Sequence, residues 1–343
     1  LVEELLRELI CVFQELLSNS LYPVLQPAIG VGSAFEGWSP HGDDAVYCLL
    51  VPLKPPRGHT FHLELGTAAE MPEKGSCVRV ELECTCTSKQ LGENTLCFLH
   101  DPKEDMRNQN ASLLHTLCTG PYLDVQKTAH WFRNLVRSAW VFVPQSFRYN
   151  LKVLPCSRSC KLQLTNAFGR TFFVEMIFGV QQGDSDIFLT SQSTEAIFTP
   201  STMWLESYAV AEVKFFRHVA REAPHDTFHL KCLQICTRIL VGTSFSDYIL
   251  KTVVMHLLNT LPLSSWRMSE FLMRLQDIME YLCTCLEKKR LNHFFFGNKN
   301  IPEEIILPPA LQTAKPCNLF HRLAQDPRAY IKALYEFSEL QDQ

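Results

Sequence analysis

Gly30-Val31-Gly32-Ser33 and, after nine intervening residues, Asp43-Asp44-Ala45-Val46 are the stretch on which the reading of this chain turns. A small-residue turn lets backbone N–H groups approach a phosphate closely. The acidic residues open Ala45 to Leu53, AVYCLLVPL, a nearly continuous apolar run of the kind a doubly buried strand shows. Two carboxylates on such a strand, with a third on its neighbour, hold two Mg²⁺ ions for in-line phosphoryl transfer. Side chains alternate along a strand, so only positions i and i+2 share a face. Asp43 therefore needs a carboxylate at Ala45, and Asp44 needs one at Val46. In either register the second carboxylate is missing, which leaves a poor site for two divalent cations.

The natural third carboxylate is Glu175, inside the strand-like run Thr171 to Val180, TFFVEMIFGV. It has two readings: a remnant of a metal site, or a glutamate paired with an arginine from the helical half of the chain. The pairing is favoured, because buried charges persist mainly when paired. Outward from this core, residues 1–19 form an amphipathic helix with Leu5, Leu6, Leu9, Ile10, Phe13, Leu16 and Leu17 on one stripe. Strands are expected at Phe61–Leu65, Cys77–Thr85, Leu96–Leu99, 149–154 and 160–165, and a helix at 124–143. Beyond about residue 200 the periodicity is helical over Trp204–Arg221, Leu230–Gly242, Tyr248–Leu261, Met268–Leu286 and 327–341. The layout is α+β: a mixed sheet with flanking helices in residues 1–200, led by the N-terminal helix, then an all-helical lobe in 201–343.

The 343 residues are 46% hydrophobic, so a core is available and compositional disorder is excluded. A net charge of −4 gives no general attraction to phosphate backbones, and no nucleic-acid partner is expected. Lys288-Lys289-Arg290 reads as a solvated helix end matched to the dipole. The 14 cysteines include no CxxC pair, and Cys84, Cys232 and Cys236 sit at buried-strand or helical spacing, the habit of reduced core thiols. This favours the cytosolic side, although Asn110-Ala111-Ser112 is a glycosylation sequon and keeps a secreted reading open. The chain opens on Leu1 without methionine, which suggests a piece of a longer protein, and it has no apolar run of membrane-spanning length.

Gly32-Ser33, the acidic strand start and Glu175 resemble the male-abnormal-21 family of nucleotidyltransferase-fold proteins, which includes cyclic GMP-AMP synthase. Ser246-Asp247-Tyr248-Ile249-Leu250-Lys251-Thr252, then His256-Leu257-Leu258 and Trp266, is similar to that family's helical signature, as is Cys285-Leu286 with Leu291-Asn292-His293-Phe294-Phe295. The resemblance covers essentially the whole chain. It extends to the inositol trisphosphate receptor-interacting branch through Val31-Gly32-Ser33 with Glu36 and Trp38, Leu117-Cys118-Thr119 with Tyr122-Leu123-Asp124, Asp184-Ser185-Asp186, and Gly297-Asn298. What the resemblance implies is a membrane-tethered parent chain with an N-terminal anchor and coiled coil. It also implies a cell-membrane regulator that restrains T-cell receptor signalling through the receptor's epsilon chain. The family's synthases keep Glu-x-Asp where this chain has Asp43-Asp44-Ala45. The expectation is therefore a non-catalytic protein-binding module without cofactor or metal, with Gly32, Ser33, Asp43, Asp44 and Glu175 as degenerate site positions. The alternative is a residual nucleotidyltransferase or nucleotide sensor using the same residues.

Other candidates are weaker. The synthases carry a zinc-binding insertion, and the counterparts here would be His225, His229, Cys232 and Cys236, whose spacing within a helix is not that of a structural zinc site. Asp184-Ser185-Asp186 after Gly183 reads as a turn that bonds its own backbone. Phe294-Phe295-Phe296 reads as core, and Asp101 to Ser112 as a polar loop available for contacts.

Overall fold

The computed structural model describes residues 2–18, 20–39, 45–65, 75–83, 116–192 and 199–341. Its strands are β1 Val24–Leu25, β2 Ile29–Val31, β3 Val46–Lys54, β4 His59–Glu64, β5 Gly75–Leu82, β6 Cys118–Thr119, β7 Tyr122–Leu123, β8 Tyr149–Leu154, β9 Cys160–Asn166, β10 Thr171–Gln181, β11 Phe188–Thr190 and β12 Trp204–Ser207. The helices are α1 Val2–Leu16, α2 Ser33–Glu36, α3 Val125–Ala139, α4 Ala209–Glu222, α5 His229–Ile239, α6 Asp247–Thr260, α7 Phe271–Glu287, α8 Pro309–Gln312, α9 His321–Gln325 and α10 Pro327–Gln341. The chain divides into two compact units, Leu1–Gly32 with Val46–Val210, and Ser33–Ala45 with Ala211–Gln343.

The first unit is built on a mixed sheet. β10 runs parallel to β3 and antiparallel to β9 and β11, and the sheet continues through β12, β5, β7 and β6. β2 and β1 pair with β3, and β4 with β5. β3 and β10 are apolar because both of their faces are covered: Leu50, Val51, Ile177 and Phe178 are fully buried. Gly179 permits a close approach, since a Cβ there would lie 3.0 Å from Leu50 Cδ1 and 3.2 Å from Phe188 Cδ1. On one side, Phe13 of α1, Phe132 of α3 and Phe178 of β10 stack edge to face at 5.2 and 4.9 Å.

α3 begins where Asp124 accepts hydrogen bonds from the Gln126 and Lys127 amides at 2.9 and 3.0 Å. Thr119 and Ser201 also donate to the same carboxylate, at 2.7 and 2.6 Å. Arg158 is buried and donates to the Ser191, Pro200 and Met203 carbonyls.

Two expectations change. Trp204–Arg221 is not one helix: Trp204 and Leu205 pair with Ser76 and Gly75 of β5, and the helix starts only at Ala209. Sheet pairing overrides the helical period there. β12 thus extends the sheet beyond residue 200. The stripe of α1 also ends early, since Phe13 is buried but Leu16 is 50% exposed. Leu96–Leu99 lies outside the described residues.

The second unit is helical. Phe294 and Phe295 are buried in its core, with Phe294 against Phe215 at 4.8 Å and against His256 at 5.3 Å. The observed class is α+β, a mixed sheet with flanking helices and a helical C-terminal region.

Candidate functional site

Gly32 follows β2 with φ +78°, a conformation that glycine adopts without strain, and among the described residues, its chain neighbours apart, no atom lies within 4 Å of where a Cβ would stand. Those residues leave the turn open, as close backbone approach to a ligand requires. Ser33 starts α2, and its carbonyl accepts from the Gly37 and Trp38 amides, both at 3.0 Å. Asp43 and Asp44 lie outside the described residues, as do Asn110 and Asp101 to Ser112.

Glu175 sits in the middle of β10, and its partner differs from the one expected. It is held within the first unit by Lys161, the residue opposite it on β9, at 3.7 Å, and not by an arginine of the helical half. Cross-strand register makes this pair, as opposite charges directly across an antiparallel ladder attract. Ser159 Oγ donates to Glu175 Oε1 at 2.6 Å. A carboxylate only accepts and a serine has one proton, so the Cys156 thiol, 3.0 Å from Ser159 Oγ, is the donor in that contact. A chain runs from Cys156 through Ser159 to Glu175.

On its other edge, Glu175 stands beside Cys48 of β3. Parallel register puts Val46, Cys48 and Leu50 on the face shared by Phe173, Glu175 and Ile177. β3 itself, VYCLLVPLK, contains no carboxylate. Burial first, and then the Glu175 charge, push the Cys48 thiol up to about 12, so it is a neutral thiol at physiological pH. One glutamate beside a thiol, a lysine and a serine offers no pair of carboxylates for two divalent ions. Among the described residues no three His, Cys, Asp or Glu side chains come together in a metal-binding group. A cleft of about 430 Å³ between Tyr22, Trp131 and the exposed side of α3 contains none of the expected positions.

In the second unit, residues that the sequence presents in three separate stretches meet. Lys251 Nζ of α6 donates to Glu36 Oε1 of α2 at 2.7 Å and to Glu212 Oε2 of α4 at 2.5 Å. Trp38 Nε1 donates to Glu36 Oε2 at 2.6 Å. The three charged groups are buried. Burial disfavours the Lys251 ammonium, yet Glu212 and Glu36 outweigh that and raise its pKa. The Glu36 carboxyl is raised, chiefly by burial. Tyr248 and His293 Nε2 lie 2.8 Å apart, while the Phe295 amide donates to His293 Nδ1 at 3.3 Å. With Nδ1 accepting, the neutral ring carries its proton on Nε2 and donates to the tyrosine oxygen. These contacts join the Tyr248 and His293 stretches into one structural knot. The family-like stretches contain Glu36, Trp38, Tyr248, Lys251 and His293, but Glu212 stands in none of them, and partners 215 positions apart, as Lys251 and Glu36 are, leave no local signal.

The remaining candidates resolve simply. His229, Cys232 and Cys236 lie buried on α5, the cysteines are free, and neither ring nitrogen of His229 has a partner among the described residues. Asp184-Ser185-Asp186 is a backbone turn, with Ser185 Oγ donating to the Gln182 carbonyl at 2.7 Å. Lys288 to Arg290 close α7, and Lys289 Nζ lies 4.0 Å from the centre of the Tyr330 ring.

Residues 229–306 match the family model for the Mab-21 protein HhH/H2TH-like domain, which spans α5, α6, α7 and the His293 knot. The chain thus carries the C-terminal domain of the Mab-21 family. Over nearly its whole length the chain is similar to inositol 1,4,5-trisphosphate receptor-interacting protein-like 1 of Rattus norvegicus, 36% identical over 99% of this chain and 64% of the relative. The protein of that name from Mus musculus is 37% identical with the same coverage. Inositol 1,4,5-trisphosphate receptor-interacting protein of Homo sapiens is 31% identical over 91% of this chain and 61% of its own. The chain thus spans 64% of the length of the first two relatives.

Proposed function

We propose that this domain is a non-catalytic member of its family that works by binding protein. The observation that carries the reading is the engagement of Glu175: its carboxylate is held by Ser159 and Lys161, and its β3 neighbour is the neutral thiol of Cys48. A glutamate so occupied makes half of a metal site at best. The test is a titration of ATP and GTP with Mg²⁺, following thermal stability, with Gly32→Asp as the blocked-turn control. A ligand at about a hundred times its dissociation constant adds roughly 2.7 kcal/mol. The expected result is no shift at millimolar nucleotide. A shift that Gly32→Asp abolishes, with turnover that Glu175→Gln removes, overturns the reading.

The second reading is a nucleotide sensor, favoured by the open left-handed turn at Gly32. The same titration separates the two, since a sensor shows a Gly32-dependent shift without turnover.

For the parent protein the proposal is a membrane-tethered regulator at the cell surface membrane. The T-cell receptor epsilon chain would be its partner, and this domain would lie on the cytosolic side. Family resemblance supports the partner, and the free, mostly covered thiols support the side. Binding of the purified epsilon chain by calorimetry tests the first, and the absence of a glycan on Asn110 tests the second.

A further inference from the structure

Two 3₁₀ turns after α3, Trp140–Phe142 and Pro144–Phe147, carry apolar side chains into solvent. Val141 and Phe142 are each 66% exposed and Phe147 is 91% exposed. Phe168, in the β9–β10 turn, is 95% exposed. Register brings two of these together, Phe147 and Phe168: Tyr149 pairs with Asn166, so Phe147 lies two residues before one strand and Phe168 two residues after the other. Both rings therefore stand at the same end of the β8–β9 ladder. The Phe168 turn is built firmly, because Asn166 Oδ1 accepts from the Phe168 and Arg170 amides at 3.0 and 2.9 Å and Gly169 takes φ +79°. Protruding rings on fixed turns are not what packing alone produces, since burying an aromatic ring is favourable.

Charge on the same segment is one-sided. From Val125 to Val174 there are eight basic residues and no Asp or Glu, in a chain whose net charge is −4. Arg137, Arg148, Lys152 and Arg170 are exposed. Arg170 lies over the Phe172 ring at 5.3 Å, and that ring contacts Tyr149, so cation and aromatics share this end of the sheet.

Apolar tips flanked by long cationic side chains are the composition of an interfacial membrane contact. A protein partner would need a separate pocket for each protruding ring, whereas a headgroup layer admits rings at whatever depth they reach. Its phosphates also match the arginines. We propose that this end of the β8–β9–β10 segment docks on membranes rich in acidic phospholipid, with Phe147 and Phe168 entering the interface and Arg148 and Arg170 among the headgroups. The inference goes beyond the function proposed above and depends on no protein partner or tether.

The test is flotation of the 343-residue chain with vesicles of phosphatidylcholine alone and of phosphatidylcholine mixed with phosphatidylserine. Binding is expected to the mixed vesicles only, and to weaken with added salt. Arg148→Glu and Arg170→Glu should each weaken it at least about fivefold, the equivalent of about 1 kcal/mol per surface cation. Phe147→Ser with Phe168→Ser should weaken it about tenfold or more through lost apolar insertion. All four positions are exposed, and unchanged melting of the variants establishes that the fold is retained. Equal behaviour towards the two vesicle types overturns the proposal. So does undiminished binding by the folded double phenylalanine variant, which would mean simple electrostatic adsorption.

Discussion

Lys251 is the residue on which the second unit depends most. Its ammonium is shared between two buried carboxylates, so removing it leaves Glu36 and Glu212 without their cation. Breaking such a cluster from one side costs about 3–5 kcal/mol. Lys251→Met should therefore lower the denaturant midpoint sharply, and replacing both glutamates by glutamine in the same chain should recover part of the loss. An unchanged midpoint in Lys251→Met would show that the cluster contributes nothing. Histidines set the acid limit. Burial lowers His229 to about 4 and His293 to about 3, against about 6.5 in an unfolded chain. Below the unfolded value, the unfolded state takes up protons that the folded state refuses. Stability is thus full above about pH 6.5 and is lost as pH falls towards the folded values. Urea midpoints measured downward from neutrality should fall over that window. The fall should be shallower in His229→Leu, which also removes two ring nitrogens without partners among the described residues.

Among the elements, α3 shows how a sequence signal and a tertiary contact combine. Asp124 before Val125 is a legible N-cap, and its two amide bonds are the local part. Thr119 and Ser201 are the non-local part, 5 and 77 positions away. Burial works against the charge, but the bonds from Ser201, the Lys127 amide, Thr119 and the Gln126 amide prevail and hold the carboxyl below its usual range. Asp124→Ala should cost about 2–3 kcal/mol, more than the ~1 kcal/mol of an ordinary cap, because buried donors lose their acceptor. Thermal unfolding would measure this, and a loss near 1 kcal/mol would mean that only the local cap matters. β3 and β10 were readable as buried strands from their apolar runs. The two- and three-residue strands β1, β2, β6, β7 and β11 were not, since a period of two needs more residues to show.

The whole molecule is a cysteine-rich α+β fold, and ten of its described cysteines, Cys11 to Cys285, are free thiols. Burial pushes Cys48, Cys160, Cys232 and Cys236 up to about 12. Among the described cysteines, iodoacetamide labelling read by mass spectrometry should therefore modify exposed Cys11 before those four, which stay protected until unfolding. Rapid native labelling of Cys232 or Cys236 would contradict the packing of α5. Charge is distributed just as unevenly, with the basic, acid-free stretch confined to the first unit while the chain as a whole is acidic.

By itself, the sequence determined what is periodic or local. That includes the succession of a sheet-rich part and a helical part, the apolar cores of β3 and β10, the turn at Gly32 and the absence of a carboxylate two residues beyond Asp43 or Asp44. Side-chain alternation and helical pitch act over a few residues, so the order of residues records them. Tertiary structure alone decided the pairings. Glu175 falls to Lys161 and Ser159 through strand register, Lys251 to Glu36 and Glu212 through helix packing, and Phe147 and Phe168 come to one end of the sheet because β8 pairs with β9. Such contacts join residues distant along the chain and leave no mark in the spacing of either partner, because burial and register fix them only once the chain has closed on itself.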